Sequence, residues 1–139
     1  MSTEPNKVDQ HKALHRRVIE ELWHRGNVDV LDEHIHPRLK GRQQAEGMGL
    51  EDAKRVVREL REAFPDLRVT IDHQVGEGDE LATFSTFRGT HRGDFRGIKS
   101  TGNSIQVSSA CHTRFLEGKV IEESVTFDEN SMLNKIRNA

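Results

Sequence analysis

The chain has 139 residues, with 21 basic and 23 acidic side chains and a formal net charge of −2. That length fits one domain with a real core, and no basic stripe interleaved with aromatics points to nucleic acid. No apolar run approaches the ~18 residues of a membrane span, and the single cysteine, Cys111, excludes an intramolecular disulfide.

Residues 1–139 therefore read as one domain, with 1–9 as a flexible N-terminus. The polar start, MSTEPNKVDQ, has no signal-peptide core, and a reducing cytoplasm is the natural compartment.

The first half is helical in period. Leu14, Val18 and Leu22 form one row from Val8 to His24, and His15, Ile19 and Trp23 form the next. Gly26 is placed to end this helix and Asn27 to cap a short second one carrying Val30, Leu31 and Ile35. Pro37 stops it. Residues 38–49, RLKGRQQAEGMG, have no period and read as a loop. A third helix starts at Leu50, with Ala53, Val56, Val57, Leu60 and Phe64 on one face, and ends at Pro65.

The second half changes to period two. Leu67, Val69, Ile71, His73 and Val75 alternate with polar residues. A turn at 76–79, GEGD, leads to a second strand, ELATFSTFRGT. A long Gly-rich connection then reaches a third strand, about Ser104–Phe115, and a turn at Gly118 leads to a fourth, about Val120–Phe127. Helices followed by an antiparallel meander argue for an α+β fold. Three helices cannot fill a strongly curved sheet, so a pocket is expected between them and the sheet.

Several side chains are candidates for chemistry. On the last strand Glu122, Ser124, Thr126 and Asp128 share a face. If that face lines the pocket, Asp128 becomes a proton acceptor; if it meets bulk water, it is a solvated sheet face. His112, across the Gly118 turn, faces positions 122–124, so it pairs with Glu122 or Ser124 as an acid/base unit or for structure alone. His73 shares the apolar parity of its strand, which suits a packed, hydrogen-bonded histidine or a pocket wall. His91 either caps the pocket mouth or hydrogen-bonds within the connection, and Trp23 packs in the core, lines the pocket, or does both. Cys111 has no base signalled beside it and reads as a small apolar residue. His34 and His36, two apart, are a poor metal pair, and no metal-ligand spacing appears.

The order of motifs resembles a known family. AFPDLRV at 63–69, GD at 78–79, GTHRGDFRGIKSTGNSIQV at 89–107, RFLEGKVIEE at 114–123 and Asp128 are similar to the SnoaL-like polyketide cyclases, within the NTF2-like superfamily. The first helix pair, VIEELWHRGNVDVLDEHIHP, is similar to the family's start. The likeness runs over roughly residues 10–133, with departures at Arg42, Ser100 and Ser124. It implies an α+β cone of mainly antiparallel sheet, closed by helices around a pocket. It also implies a homodimer joined through the outer sheet face and a small hydrophobic or aromatic ligand, with no membrane and no nucleic acid. The implied chemistry is an intramolecular aldol closure with no cofactor and no metal. By position Asp128 is the implied acid/base. His112 is the second candidate catalytic residue, with Trp23, His73, His91, Glu122 and Ser124 lining the pocket. The same fold also fits a non-catalytic binding or accessory protein, or another acid/base reaction.

Overall fold

A computed structural model describes residues 6–41 and 50–137. Helix α1 spans Lys7–Ile19, with Asn6 Oδ1 accepting from the Asp9 N–H as its cap. Residues 6–9, expected in a flexible N-terminus, therefore cap and open the helix. A π-helical turn, Glu20–His24, continues α1, and its i→i+5 bond runs from Arg25 N to Glu20 O. Gly26 then breaks the helix with φ +72°, a left-handed value that suits glycine. The Arg61 guanidinium lies against Gly26 and donates to the Trp23 carbonyl, which satisfies an orphan acceptor at the helix end.

Helix α2 is short, Val30–His34. Asn27 does not cap it with its side chain; its carbonyl accepts from Val30 N, and its amide reaches Glu21. Helix α3 spans Leu50–Ala63. Lys54 is buried where α3 meets α2, and its Nζ donates to both Asp32 oxygens at 2.9 and 3.0 Å. These bonds satisfy a charge that would otherwise be costly to bury.

Five strands follow the order β1-β5-β4-β3-β2 in one open sheet. They are β1 Ile35–Gly41, β2 Arg68–Glu77, β3 Glu80–Thr90, β4 Ser104–Leu116 and β5 Lys119–Phe127. Strand β1 corrects the loop expected from residue 38; residues 42–49 of that loop lie outside the described residues. It pairs parallel with β5 at the sheet edge, where Pro37 is tolerated because an edge leaves one side without ladder partners. The tail forms helix α4, Glu129–Arg137, which buries Met132 and Ile136.

Three tight turns shape the sheet. Gly78, with φ +59°, is the first central residue of the β2–β3 turn, as a type II′ hairpin requires. Glu117 and Gly118 both have positive φ, 54° and 78°, which is the type I′ pattern between β4 and β5. Arg96 and Gly97 repeat it at the tip of the long connection, where Phe95 and Ile98 exchange two backbone bonds of 2.9 Å. Phe95 is buried and Ile98 packs on the same cluster, so the connection is pinned to the core. Gly93 sits so close to the end of α3 that an added Cβ would lie 2.5 Å from the Glu62 carbonyl oxygen.

Two β-bulges decide which residues face inward. In β2, Ile71 pairs with Ser85 but His73 pairs with Phe84, which leaves Asp72 as an extra residue. In β5, Val120 pairs with Phe115 but Glu122 pairs with Arg114, which leaves Ile121 as the extra residue. Each extra residue shifts the period-two alternation by one. Val120 is fully buried, and beyond the bulge it is Glu123 and Val125 that meet the inside space.

Candidate functional site

The helices and the sheet enclose a cavity of about 230 Å³. Helix α1 and its π turn present His15, Val18, Ile19, Leu22 and Trp23 to it, spaced i, i+3, i+4, i+7, i+8. Leu31 and His34 come from α2, and Ala53, Val56 and Val57 from α3. The sheet wall is made of Val69, Ser85, Phe87, Ser109, Cys111, Glu123 and Val125.

The two ends differ. Trp23 lies eight residues beyond His15, so about 12 Å along the helix axis. Its ring meets Phe87 edge-on at 5.0 Å, and Phe87 meets Phe127 at 5.2 Å. That end is aromatic. At the other end His34 packs edge-on against Phe115 at 6.0 Å, and its ring centroid is 6.5 Å from that of His15. Glu123 opposes Thr113 and its charge acts on the Cys111 thiol, which puts it on the sheet wall of the cavity. Both histidines are more than nine-tenths buried. Burial, joined for His34 by the neighbouring His15, pushes the pKa of each down to about 4. Both are neutral at pH 7. Burial, and then the Glu123 carboxylate, push the Cys111 thiol far up, so it is an inert wall residue as its sequence context implied.

The residues singled out from the sequence fall in different places. Trp23 lines the cavity. His112 does pair in register with Ser124, but its ring is exposed and its Nε2 lies 3.0 Å from Glu80 Oε1. Glu122 meets Arg114 at 3.4 Å, and Ser124 is exposed. These three lie on the sheet face turned away from the helices, because the Ile121 bulge gives the inside to the odd positions of β5. The Asp72 bulge likewise turns His73 outward, where it is exposed. Gln74 points inward in its place and donates to the Lys12 carbonyl.

His91 is fully buried but away from the cavity. Its Nδ1 accepts from the Thr101 N–H at 3.2 Å, which closes the connection on itself and leaves the proton on Nε2. Asp128 follows β5, is exposed, and accepts from the Ser131 N–H at 3.1 Å, the N-cap bond of α4. Sequence reasoning placed His15 on the apolar stripe but did not mark it or His34 as site residues. A histidine inside an apolar stripe was the available signal for His15, and His34 had none because strand β1 was not legible in the sequence. Glu123 shares the parity of Ile121, Val125 and Phe127, and alternation alone left open whether that row or the even one faces the pocket.

Among the described residues, no group of three His, Cys, Asp or Glu side chains stands close enough to hold a metal ion, and no helix is long and apolar enough to cross a membrane. A family model for SnoaL-like polyketide cyclases matches residues 13–136, nearly the whole chain. The chain belongs to the SnoaL-like polyketide cyclase family. Solved structures agree on the α+β cone of this family. AclR from Streptomyces galilaeus, with a suggested hydroxylase role, superposes with a TM-score of 0.84 at 23% identity, over 96% of this chain and 99% of its own. A suggested polyketide cyclase from Acidithiobacillus ferrooxidans gives 0.78 at 25%, over 100% and 99%. IdmH from Streptomyces antibioticus, also a suggested polyketide cyclase, gives 0.76 at 24%, over 92% and 99%. No protein with a curated description matches the sequence.

Proposed function

We propose that this SnoaL-like chain is a small-molecule enzyme of the polyketide-cyclase type, working by acid/base chemistry without a cofactor. Its ligand is a flat, largely apolar molecule that enters the cavity with its hydrocarbon part against Trp23 and Phe87. Glu123 removes a proton α to a carbonyl, the carbanion attacks a second carbonyl carbon of the same molecule, and the resulting alkoxide takes the proton back. A new C–C bond forms with no net change in protons.

One observation carries the reading. Among the described residues around this apolar cavity, Glu123 is the single carboxylate. A general base must reach the proton it takes. The family resemblance points to Asp128 for this role, but Asp128 is exposed and does not line this cavity. We therefore place proton transfer on Glu123.

The test uses α-tetralone, a two-ring ketone with exchangeable α-protons, in D2O. NMR following the loss of the α-proton signal should show exchange accelerated by the protein, abolished by Glu123→Gln, and unchanged by Asp128→Asn. Exchange lost in Asp128→Asn but kept in Glu123→Gln returns the role to Asp128. The inert Cys111 and the apolar lining also suit a binding protein without chemistry; tetralone that binds without accelerated exchange identifies that case.

A further inference from the structure

The inner wall of the sheet carries two serines side by side in an otherwise apolar stretch. Ser85 on β3 and Ser109 on β4 are direct partners in the antiparallel register, and both line the cavity. Ser85 is more than nine-tenths buried. Buried polar atoms are normally paired, yet neither hydroxyl has a hydrogen-bond partner among the described residues. Other inward hydroxyls on the same two strands are paired. Thr83 Oγ1 accepts from the Gln74 amide at 3.4 Å, and Thr113 Oγ1 donates to the Leu81 carbonyl at 3.3 Å. Among the described residues, the unpaired polar atoms that are fully shielded are four histidine nitrogens and Gln74 Oε1. The serine hydroxyls are unpaired but keep accessible surface, and on the inner face of the sheet that surface is the cavity.

Their placement suits one shared oxygen. Cross-strand partners hold their Cβ atoms about 4.5–5.5 Å apart, and O–H···O bonds run to about 2.8 Å, so two neighbouring hydroxyls reach a single atom between them. Phe87 is two residues from Ser85, and Phe127 is the register partner of Ser109. These rings meet at 5.2 Å, and Trp23 meets Phe87 at 5.0 Å. The hydroxyls therefore stand beside the aromatic end of the cavity. Glu123 opposes Thr113, four residues along β4 from Ser109, which is about 13 Å of strand.

We infer that Ser85 and Ser109 together bind one uncharged oxygen on the rim of an aromatic ring, so that the cavity selects a flat molecule with a phenol or aryl ketone at its aromatic end. Each hydroxyl is both donor and acceptor. The pair donates twice to a carbonyl, or donates once and accepts once with a phenol. A carboxylate or phosphate does not suit the place, because no lysine or arginine among the described residues lines the cavity to balance its charge. The inference rests on the cavity being the ligand site proposed above. The serines are specificity residues, set apart along the wall from Glu123, and proton transfer stays with Glu123.

The test compares two ligands of the same shape, naphthalene and β-naphthol, which differ by one hydroxyl. Dissociation constants are measured by NMR titration on the whole chain and on Ser85→Ala, Ser109→Ala and the double variant, which remove only the serine oxygens. The wild-type chain should bind β-naphthol roughly tenfold more tightly than naphthalene, the effect of one to two net hydrogen bonds. The double variant should bind β-naphthol no more tightly than naphthalene, with the affinity for naphthalene held or improved. Retained naphthalene binding also shows that the variant is folded. Should it fail to fold, the single variants decide in its place, each losing about threefold in β-naphthol affinity with naphthalene unchanged. Equal affinities in the wild type, as expected if the serines hold only water, overturn the inference but leave the cavity reading standing. A preference for β-naphthol that survives in the double variant overturns it too. Failure of both ligands to bind overturns the cavity reading and the inference with it.

Discussion

Acidifying the protein should destabilise it well above the pH at which its carboxylates titrate. His15 and His34 each titrate near 6.5 when unfolded and at about 4 in the fold. Between those values the unfolded chain binds more protons, so stability falls as pH falls. The contribution is intact above 6.5 and is lost progressively down to about 4. At pH 5 the deficit is about 2 kcal/mol for each imidazole, or ~4 kcal/mol for the pair, from about 1.4 kcal/mol per pKa unit. That is a large share of the roughly 5–15 kcal/mol that holds a domain together. The pKa of His11 is also lowered, chiefly by burial and then by Lys7, and adds in the same direction. The carboxylates with lowered values, Glu20, Asp66 and Asp79, lose their contribution only below their ordinary carboxylate range, so they fall in a separate window. Urea unfolding followed through the fluorescence of Trp23, the single tryptophan, measures the effect. With a slope of roughly 1–3 kcal/mol per molar urea, the midpoint should drop by about 1–4 M between pH 7 and pH 5. In the chain with His15→Phe and His34→Phe the drop should be less than half as large. A double variant that loses as much stability as the wild type would refute the assignment to these two rings.

Other expectations follow from single contacts. Phe115→Ala should cost about 3–5 kcal/mol in urea unfolding, because the ring is buried and supports both His11 and His34. Gly93→Ala should cost roughly 1–3 kcal/mol, since the new methyl meets backbone at the end of α3 and not a movable side chain; an unchanged melting temperature would show that the connection shifts freely. Asp128→Asn should leave stability nearly unchanged, as asparagine caps as well as aspartate, whereas Asp128→Ala should lower it by about 1 kcal/mol. On the outer sheet face Phe84 is 43% exposed; we expect a homodimer through that face, so Phe84→Asp should elute as a monomer in size-exclusion chromatography, and unchanged elution would remove this face from the interface.

The aromatic end of the site was readable from the chain. Trp23 recurs with Ile19 and His15 on a stripe of helical period, and that stripe is the wall of the cavity. The polar end was not. His15 looked like one more member of an apolar face, and His34 belongs to a five-residue helix whose partner is distant in sequence. Their significance comes from meeting each other beside Phe115, a contact among residues 15, 34 and 115 that no local pattern announces. Strand β1 was hidden for a related reason. It pairs parallel with β5, about eighty residues away, and neither its proline nor its charge marks it as sheet.

What the sequence by itself determined is the kind and order of elements. Periods of 3.6 and 2, the glycines at turns that need positive φ, and the family motifs in order are local properties, and they placed the helices, the β2–β5 meander and the family. What only the tertiary structure decided is which side of each strand faces the cavity. Alternation read forward from Val120 leads to Glu122, Ser124 and the neighbourhood of Asp128; one extra residue at Ile121 hands the inside to Glu123 and Val125. The bulge at Asp72 does the same to His73 and Gln74. A bulge adds a residue on one strand only relative to its partner, so it exists in the pairing and not in the chain. Which carboxylate faces the cavity therefore turns on a register that becomes defined only when the sheet assembles and curves around the helices.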